Sequence, residues 1–474
     1  MKNVVDLVEK YRRSSKIFKA SIWFVGASIF NNCVSIITQP IINRILSVEE
    51  IGLYNVFNTW HSLFLILATL NLFAGVLEVL LTEEFENSNN IIASLSSLTL
   101  ITSCIFFSCI LIFYPILKQL VSISQKYIVL MCVYIMSEAI IQFWCSEKRF
   151  CYSYKAYSVI LIGLFVTKSF LSILFSIIIA EDRVFGRILG LVIPSLTIAI
   201  FLYWNIRRNS SLKKISQYWR RAVLFNLPLI PHYLTSILMS SADRIMIQQL
   251  STMKNVGLYS VVYTYSSIVL IAFNSINSAY TPFALKAIKK GKINDLKIKT
   301  NYVVWICTIA AFCMMILAPE GLIILGGNEY LKAADIAPII LLGIFFSSFY
   351  YIFSNVEFVY KKNKIIFPVT LVGAVINIGL NYLLIPRWGY QAAAYTTLIS
   401  YIFIFFSHWI ISYRIVKKQL YDYKCIILVI SFLSVIAIFA EVLFSISLII
   451  RLLIIVLLML GCLYIIKKGN IFSK

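Results

Sequence analysis

The feature that most constrains this chain is the succession of long apolar runs, each about as long as a bilayer is thick. A bilayer core takes ~20 mostly apolar residues per helix. Fourteen such runs follow one another, at roughly 18–42, 52–81, 91–117, 127–146, 156–180, 185–206, 222–250, 256–285, 301–327, 334–360, 365–386, 389–413, 425–444 and 447–466. Backbone polar groups inside hydrocarbon must be satisfied within their own segment or in a closed barrel, so runs of this length predict helices. Across the 474 residues 60% are apolar and 13% charged, against about 45–50% and about 25% in soluble domains. No single core buries that excess. A soluble enzyme, a disordered regulator and a nucleic-acid-binding domain are excluded together, and the fold class expected is all-α integral membrane with 14 transmembrane helices.

Charge sets the expected orientation. The net charge of +22 comes from 42 Lys and Arg against 20 Asp and Glu, and basic residues favour the cytoplasmic side. With both termini in the cytoplasm, the inside segments, counted with the ends of the runs that adjoin them, hold 31 Lys and Arg, and the outside loops, counted likewise, hold nine: Arg44, Lys118, Lys126, Arg183, Arg187, Lys254, Lys332, Arg387 and Arg451. No cleavable signal is read before run 1, and the polar, basic residues 1–17 are expected to lie as a short interfacial helix. The basic segment Arg207–Arg221 reads as a linker. It divides the chain into an N-terminal lobe over 1–206, the linker at 207–221, a C-terminal lobe over 222–413, and two appended helices over 414–474.

An internal repeat supports two lobes. Ile51-Gly52-Leu53-Tyr54-Asn55-Val56 recurs 205 residues later as Val256-Gly257-Leu258-Tyr259-Ser260-Val261. The same offset carries Asn55, Asn58 and Ser62 onto Ser260, Tyr263 and Ser267, at helical spacing on one face. It also carries Asn31, Ser35 and Thr38 onto Ser236, Ser240 and Asp243. Six spans separate the copies, so the halves are expected to be parallel repeats of six helices, a recurring transporter plan with the substrate path between the halves.

Three stretches resemble the polysaccharide (Wzx-type) flippases of the multidrug/oligosaccharidyl-lipid/polysaccharide exporter superfamily. They are Ser47-Val48-Glu49-Glu50-Ile51-Gly52-Leu53-Tyr54; Ala242-Asp243-Arg244-Ile245-Met246-Ile247 followed by Gly257-Leu258-Tyr259; and Asn377 to Pro386 followed by Gly389 and Ala392-Ala393-Ala394. Ala392 stands where the family pattern usually has a second glycine. The resemblance implies a MATE-like pair of lobes in a bacterial cytoplasmic (inner) membrane, working by alternating access. It further implies that a polyprenyl-pyrophosphate-linked oligosaccharide is moved to the outer leaflet for surface polysaccharides such as O-antigen or capsule. Polysaccharide polymerase, glycosyltransferases and membrane lipids are the partners it suggests. The motif residues themselves read as structural, the glycines for close helix approach and Asp-Arg for locking a helix end.

Such a substrate needs a cation for pyrophosphate and a polar groove for sugar. Lys168 sits in the middle of run 5, where a charge costs ~2.5–3.5 kcal/mol on insertion scales and so faces a cavity or a partner. It reads either as a phosphate ligand or as one half of an ion pair with Glu138. Arg244 offers bidentate phosphate binding, or a structural role beside Asp243, from which it points ~100° away on the helix. Pro228 and Pro231 are expected to bend run 7. Asn58, Tyr263, Asn274 and Asn277 are candidate sugar contacts, as are Trp60, Tyr259 and Tyr265, against the plainer reading of aromatics among helices. Asp243, Glu138 and Glu357 are candidates for ion coupling. Glu357, near the cytoplasmic end of run 10, reads first as a boundary residue reaching for water and only second as a coupling site.

The basic loops, 286–299 and 361–364 among them, are expected to face anionic lipid heads rather than nucleic acid. The ten cysteines form no CxxC or metal-spaced set, the three histidines are scattered, and no P-loop, GxSxG or HExxH occurs. No metal, cofactor or catalytic residue is expected. A drug or small-cation antiporter of the same superfamily is one alternative, and it would want an acidic cavity. A membrane-embedded polymerase or glycosyltransferase is another, disfavoured by the short outer loops.

Overall fold

The apolar runs fold as helices because their interiors offer no other partner for the backbone, and polar side chains set where the helices start. A computed structural model describes residues 15–211 and 216–468, the side chains of 459 and 461–468 excepted. The interfacial helix expected over 1–17 falls outside the described residues except at its last three. No strand occurs among the described residues, and ten helical segments are long and apolar enough to cross a membrane. The protein is therefore a multi-pass integral membrane protein. Large side chains such as Ile112, Ile116, Ile438 and Ile449 stand exposed on the helix surfaces, as they do where the solvent is lipid.

The chain divides into two compact units, Met1–Ile237 and Leu238–Lys474. The first unit contains α1 (Lys16–Ile45), α2 (Val48–Thr69), α3 (Val76–Glu83), α4 (Ser88–Ile112), α5 (Tyr114–Val121), α6 (Gln125–Phe150), α7 (Tyr154–Ile178), α8 (Arg183–Arg208) and α9 (Trp219–Asn226). The division falls within α10 (Ile230–Leu250). The second unit continues with α11 (Met253–Lys289), α12 (Ile293–Ile316), α13 (Ala318–Gly326), α14 (Ala337–Val359), α15 (Ile366–Val416), α16 (Tyr423–Ile438), α17 (Ala440–Ser445) and α18 (Leu448–Lys468).

Run 2 does not continue as one helix. A capping box starts α2: the Ser47 hydroxyl accepts from the Glu50 amide at 3.2 Å, and the Glu50 carboxylate accepts from the Ser47 amide at 2.7 Å. The helix then breaks at Leu70 and Asn71, both left-handed, and Gly75 at φ +72° carries the chain into α3. The carbonyls freed by the break are collected by one buried side chain. Asn226 Nδ2 donates to Leu70 O at 3.0 Å and Asn71 O at 2.7 Å. Run 7 is interrupted where its prolines fall, by a 3₁₀ turn at Leu227–Leu229, and Pro231 opens α10.

Tyr218 and the first turn of α9 are anchored to the rest of the first unit. Tyr218 donates to Glu84 at 2.6 Å, and burial together with that carboxylate pushes its hydroxyl pKa up to about 12. Trp219 Nε1 donates to Ser94 O at 3.0 Å, and Arg221 pairs with Glu83.

Two glycine sites fix the geometry elsewhere. Gly186 and Gly190 let α8 lie on α7 so closely that a Cβ on Gly190 would stand 2.3 Å from the Ser172 amide nitrogen. Ser172 Oγ in turn donates to Arg187 O at 3.0 Å. Gly389, at φ 60° and ψ −143°, makes the turn that splits α15 between runs 11 and 12, a backbone essentially reserved for glycine. The second unit packs around α14, whose flank carries an aromatic chain of Phe345, Phe349 and Phe353, the last against Phe405 and Trp409 of α15.

Candidate functional site

In the first unit α2, α6, α7 and α8 bring polar groups together inside the helical layer. His61 Nε2 lies 3.1 Å from Glu138 Oε2, and its ring stacks on Tyr134 with centroids 4.7 Å apart. Lys168 lies over the same tyrosine, its ammonium 5.0 Å from the ring centroid and 3.5 Å from the hydroxyl. Glu138 thus takes His61 as its contact partner and reaches Lys168 only through space. Lys168 forms no ion pair among the described residues.

Arg187 belongs to this group, and reading the sequence as loops and runs missed it. Assigned there to an outside loop, it is 4% exposed in the second turn of α8. Its guanidinium carbon stands 3.3 Å from the Tyr54 ring centroid, and its Nη1 has no hydrogen-bond partner. The signal that could have found it is the Gly186-x-x-x-Gly190 spacing. Two glycines four apart mark the packed face of a helix, and the residue between them cannot then sit in a loop.

In the second unit Asp243, 2% exposed on α10, is the centre of a saturated network. Its carboxylate accepts from Tyr259 Oη, Asn381 Nδ2 and Thr397 Oγ1, each at 2.7 Å. Asn377 Nδ2 donates to Thr397 Oγ1 at 3.1 Å, and Thr396 donates to Asn381 Oδ1. The network ties α10 to α11 and to both halves of α15. Arg244 turns away from it, donating to Ser240 O at 3.1 Å and lying 4.6 Å over the Tyr263 ring. The repeated tyrosine of the two Gly-Leu-Tyr copies therefore meets opposite charges, Arg187 at Tyr54 and Asp243 at Tyr259.

The other candidates do not gather into one cluster. Asn58 is half-buried on α2, and its carbonyl accepts from Ser62 at 2.9 Å. Asn274 is exposed, and eleven residues beyond Tyr263 on α11 it lies about 16 Å along the axis. Asn277 Oδ1 accepts from Thr281 at 3.2 Å. Tyr265 donates to Met314 O at 2.7 Å and serves packing.

Glu357 is not a boundary residue reaching for water. Glu357 and His408 are both 0% exposed, with Oε1 and Nδ1 2.6 Å apart. Glu357 Oε2 and His408 Nε2 lack partners, and Tyr350 stacks on the imidazole at 5.2 Å. The burial follows from α14 packing along α15, which covers the Glu357 face of its last turn while Phe358 on the other face stands 53% exposed. Two of the three histidines, scattered in sequence, thus each face a glutamate. Arg451 is likewise no loop residue. Buried in α18, it donates to Ile316 O at 2.8 Å and to Glu320 at 3.0 and 2.5 Å. Among the described residues no group of three His, Cys, Asp or Glu could hold a metal ion.

A family described as polysaccharide biosynthesis protein matches residues 17–288, and the MatE family matches residues 228–383. An Lsg-locus protein of Haemophilus influenzae is 25% identical over 377 residues, covering 77% of this chain and 90% of that one. The structure is similar to an inward closed conformation of the lipid II flippase MurJ, with a TM-score of 0.70 and 12% identity over 94% of this chain and 99% of that one. It is also similar to an inward-facing multidrug resistance MATE transporter of the MOP superfamily, with a TM-score of 0.58 and 13% identity over 82% and 96%. At these identities the two likenesses establish the MATE/MurJ fold.

Proposed function

Because the chain belongs to the polysaccharide biosynthesis protein family of the multidrug/oligosaccharidyl-lipid/polysaccharide exporter superfamily, we propose that it is a flippase for polyprenyl-pyrophosphate-linked oligosaccharides. It carries repeat units of a surface polysaccharide from the cytoplasmic to the outer leaflet by alternating access of lobes 1–206 and 222–413. Both termini are cytoplasmic in this proposal, and helices over 414–474 are appended to the second lobe.

The observation that carries the reading is the pair of intramembrane cations in the first unit without carboxylate contacts. Lys168 rests on an aromatic ring, and Arg187 keeps an unpartnered Nη1. A Lys or Arg in the bilayer interior is costly unless a partner or a wet cavity compensates. A pyrophosphate supplies the missing anion, with charge-assisted hydrogen bonds stronger than the ring contacts it supplements. In the second unit Arg244 over Tyr263 offers a third cation with an aromatic platform for sugar; Asn58 of the first unit and Asn274 and Asn277 of the second are the proposed amide contacts. Asp243, Glu138 and Glu357 are the acids through which an ion gradient would act.

The test is transbilayer movement of a labelled polyprenyl-pyrophosphate oligosaccharide in proteoliposomes, with wild type, Lys168→Ala and Arg187→Ala. Wild type is expected to move the lipid, and each variant to slow it at least about ten-fold, the scale of one charge-assisted hydrogen bond at ~1.5–3 kcal/mol, with unchanged thermal stability. Export of an organic cation down an ion gradient, with no movement of any sugar-lipid, overturns the proposal.

A further inference from the structure

The turn between α15 and α16 builds a basic, aromatic cradle that the flippase reading does not use. A cavity of about 610 Å³ there is lined by Trp409, Tyr413, Arg414, Lys417, Lys418 and Tyr423, a size within the ~300–1,000 Å³ of small-ligand sites. Lys417 ends α15 in the left-handed conformation, its amide donating to Tyr413 O at 2.8 Å, so the chain folds back and leaves both lysines at the rim. The fold-back is pinned from beneath. Leu420 and Tyr421 are buried, and Tyr421 donates to Ile352 O at 2.8 Å. Trp409 and Tyr423 close the wall with ring centroids 4.7 Å apart.

The three cations are exposed and form no ion pair among the described residues. Asp422, the acid next to them in sequence, is engaged elsewhere. It accepts from Asn301 Nδ2 at 3.1 Å and caps α16 through the Cys425 amide at 3.3 Å. The result is a fixed concave surface with three positive charges and an aromatic wall where an apolar helix meets water. That chemistry fits a phosphate group.

The flanks decide between a free phosphate and a lipid. Ile410 in the cradle's own wall and Phe406 one turn below it on α15 are 50% and 42% exposed, and on α16 Ile427 is 54% exposed. Acyl chains lie along such a surface, whereas inorganic phosphate has no use for it. We propose that this cradle is a binding site for an anionic phospholipid, its phosphodiester held by Arg414, Lys417 and Lys418 and its chains lying on the α15 and α16 flanks.

The experiment uses the full-length protein in detergent micelles with equimolar phosphatidylglycerol and phosphatidylcholine of the same acyl chains, counting retained lipids by native mass spectrometry. A cation at the membrane surface contributes roughly a five-fold preference for anionic lipid. Wild type is therefore expected to retain phosphatidylglycerol at least about five-fold over phosphatidylcholine. Arg414→Ala/Lys417→Ala/Lys418→Ala is expected to bring the ratio near parity, and Lys417→Gln/Lys418→Gln, which keeps the end of α15 intact, to fall between. Lys254→Ala/Lys332→Ala/Arg387→Ala removes three exposed cations from loops outside the basic segments assigned to lipid heads and is expected to leave the ratio unchanged. Equal preference in wild type and both cradle variants overturns the site. An equal loss in the distant triple variant reduces it to bulk electrostatics, and displacement of the lipid by millimolar inorganic phosphate as readily as by phosphatidylglycerol makes it a free-phosphate site.

Discussion

Asp243→Ala tests whether the buried network of the second unit is a structural hub. The substitution removes the acceptor for three donors, Tyr259, Asn381 and Thr397, each at 2.7 Å. Interhelical hydrogen bonds in membrane proteins average ~0.6 kcal/mol and reach ~1.7, while bonds to a charged group run to ~1.5–3. Losing the carboxylate also relieves its own desolvation, which keeps the total below the simple sum of the larger figures. The expected loss is about 2–4 kcal/mol. Asp243→Asn keeps the shape, and two of the three donors are hydroxyls that can turn to accept, so about 1 kcal/mol or less is expected. The assay is reversible unfolding in mixed micelles followed by tryptophan fluorescence, with a double-mutant cycle against Asn381→Ala. A coupling of about 0.6–1.7 kcal/mol is expected. If Asp243→Ala unfolds within ~0.5 kcal/mol of wild type, the range of a neutral surface change, the hub reasoning fails. If Asp243→Asn is stable but uncouples transport from an ion gradient, the acid serves coupling as well as packing.

Other expectations concern packing and pairing. Gly190→Leu places a Cβ 2.3 Å from the Ser172 amide nitrogen, so α7 and α8 must part by about 1 Å to regain an ordinary carbon contact. Overpacking of that kind costs about 1–3 kcal/mol, and wild-type unfolding for this variant refutes the close approach. His408→Ala leaves Glu357 buried without a partner and is expected to cost about 3–5 kcal/mol, whereas Glu357→Leu/His408→Phe is expected near neutral. A double variant no more stable than the single one contradicts that account. Arg451→Met removes the anchor of α18 on Ile316 and Glu320, and cleavage near residues 445–448 in limited proteolysis is expected to speed up at least about five-fold, the scale of ~1 kcal/mol of lost local stability. Unchanged cleavage shows that α18 is held by apolar contacts alone.

Much of this protein is legible from one dimension. Bilayer thickness fixes helix length, so apolar runs alone give the all-α membrane class and where most helices lie. Local chemistry is legible too. Ser47 and Glu50 sit three apart, as a capping box requires, Gly389 marks a turn, and Pro228 and Pro231 mark the interruption of run 7. Lys168 and Glu138 stand out because charge is scarce inside a bilayer.

What the tertiary structure decided is which charge meets which. Hydropathy averages over a window, so Arg187 and Arg451, near the starts of apolar runs, read as loop residues until neighbouring helices were seen to cover them. His408 and Glu357 lie 51 residues apart, and no periodicity links them. They meet because α14 and α15 pack side by side. The same limit hid the role of Tyr54 and Tyr259. Their repeat is plain in the sequence, yet one lies under an arginine and the other donates to an aspartate, because partners brought in from other helices set the environment of a buried side chain. Period and length are properties of a segment and can be read along it. Pairing between segments is a property of the packed fold.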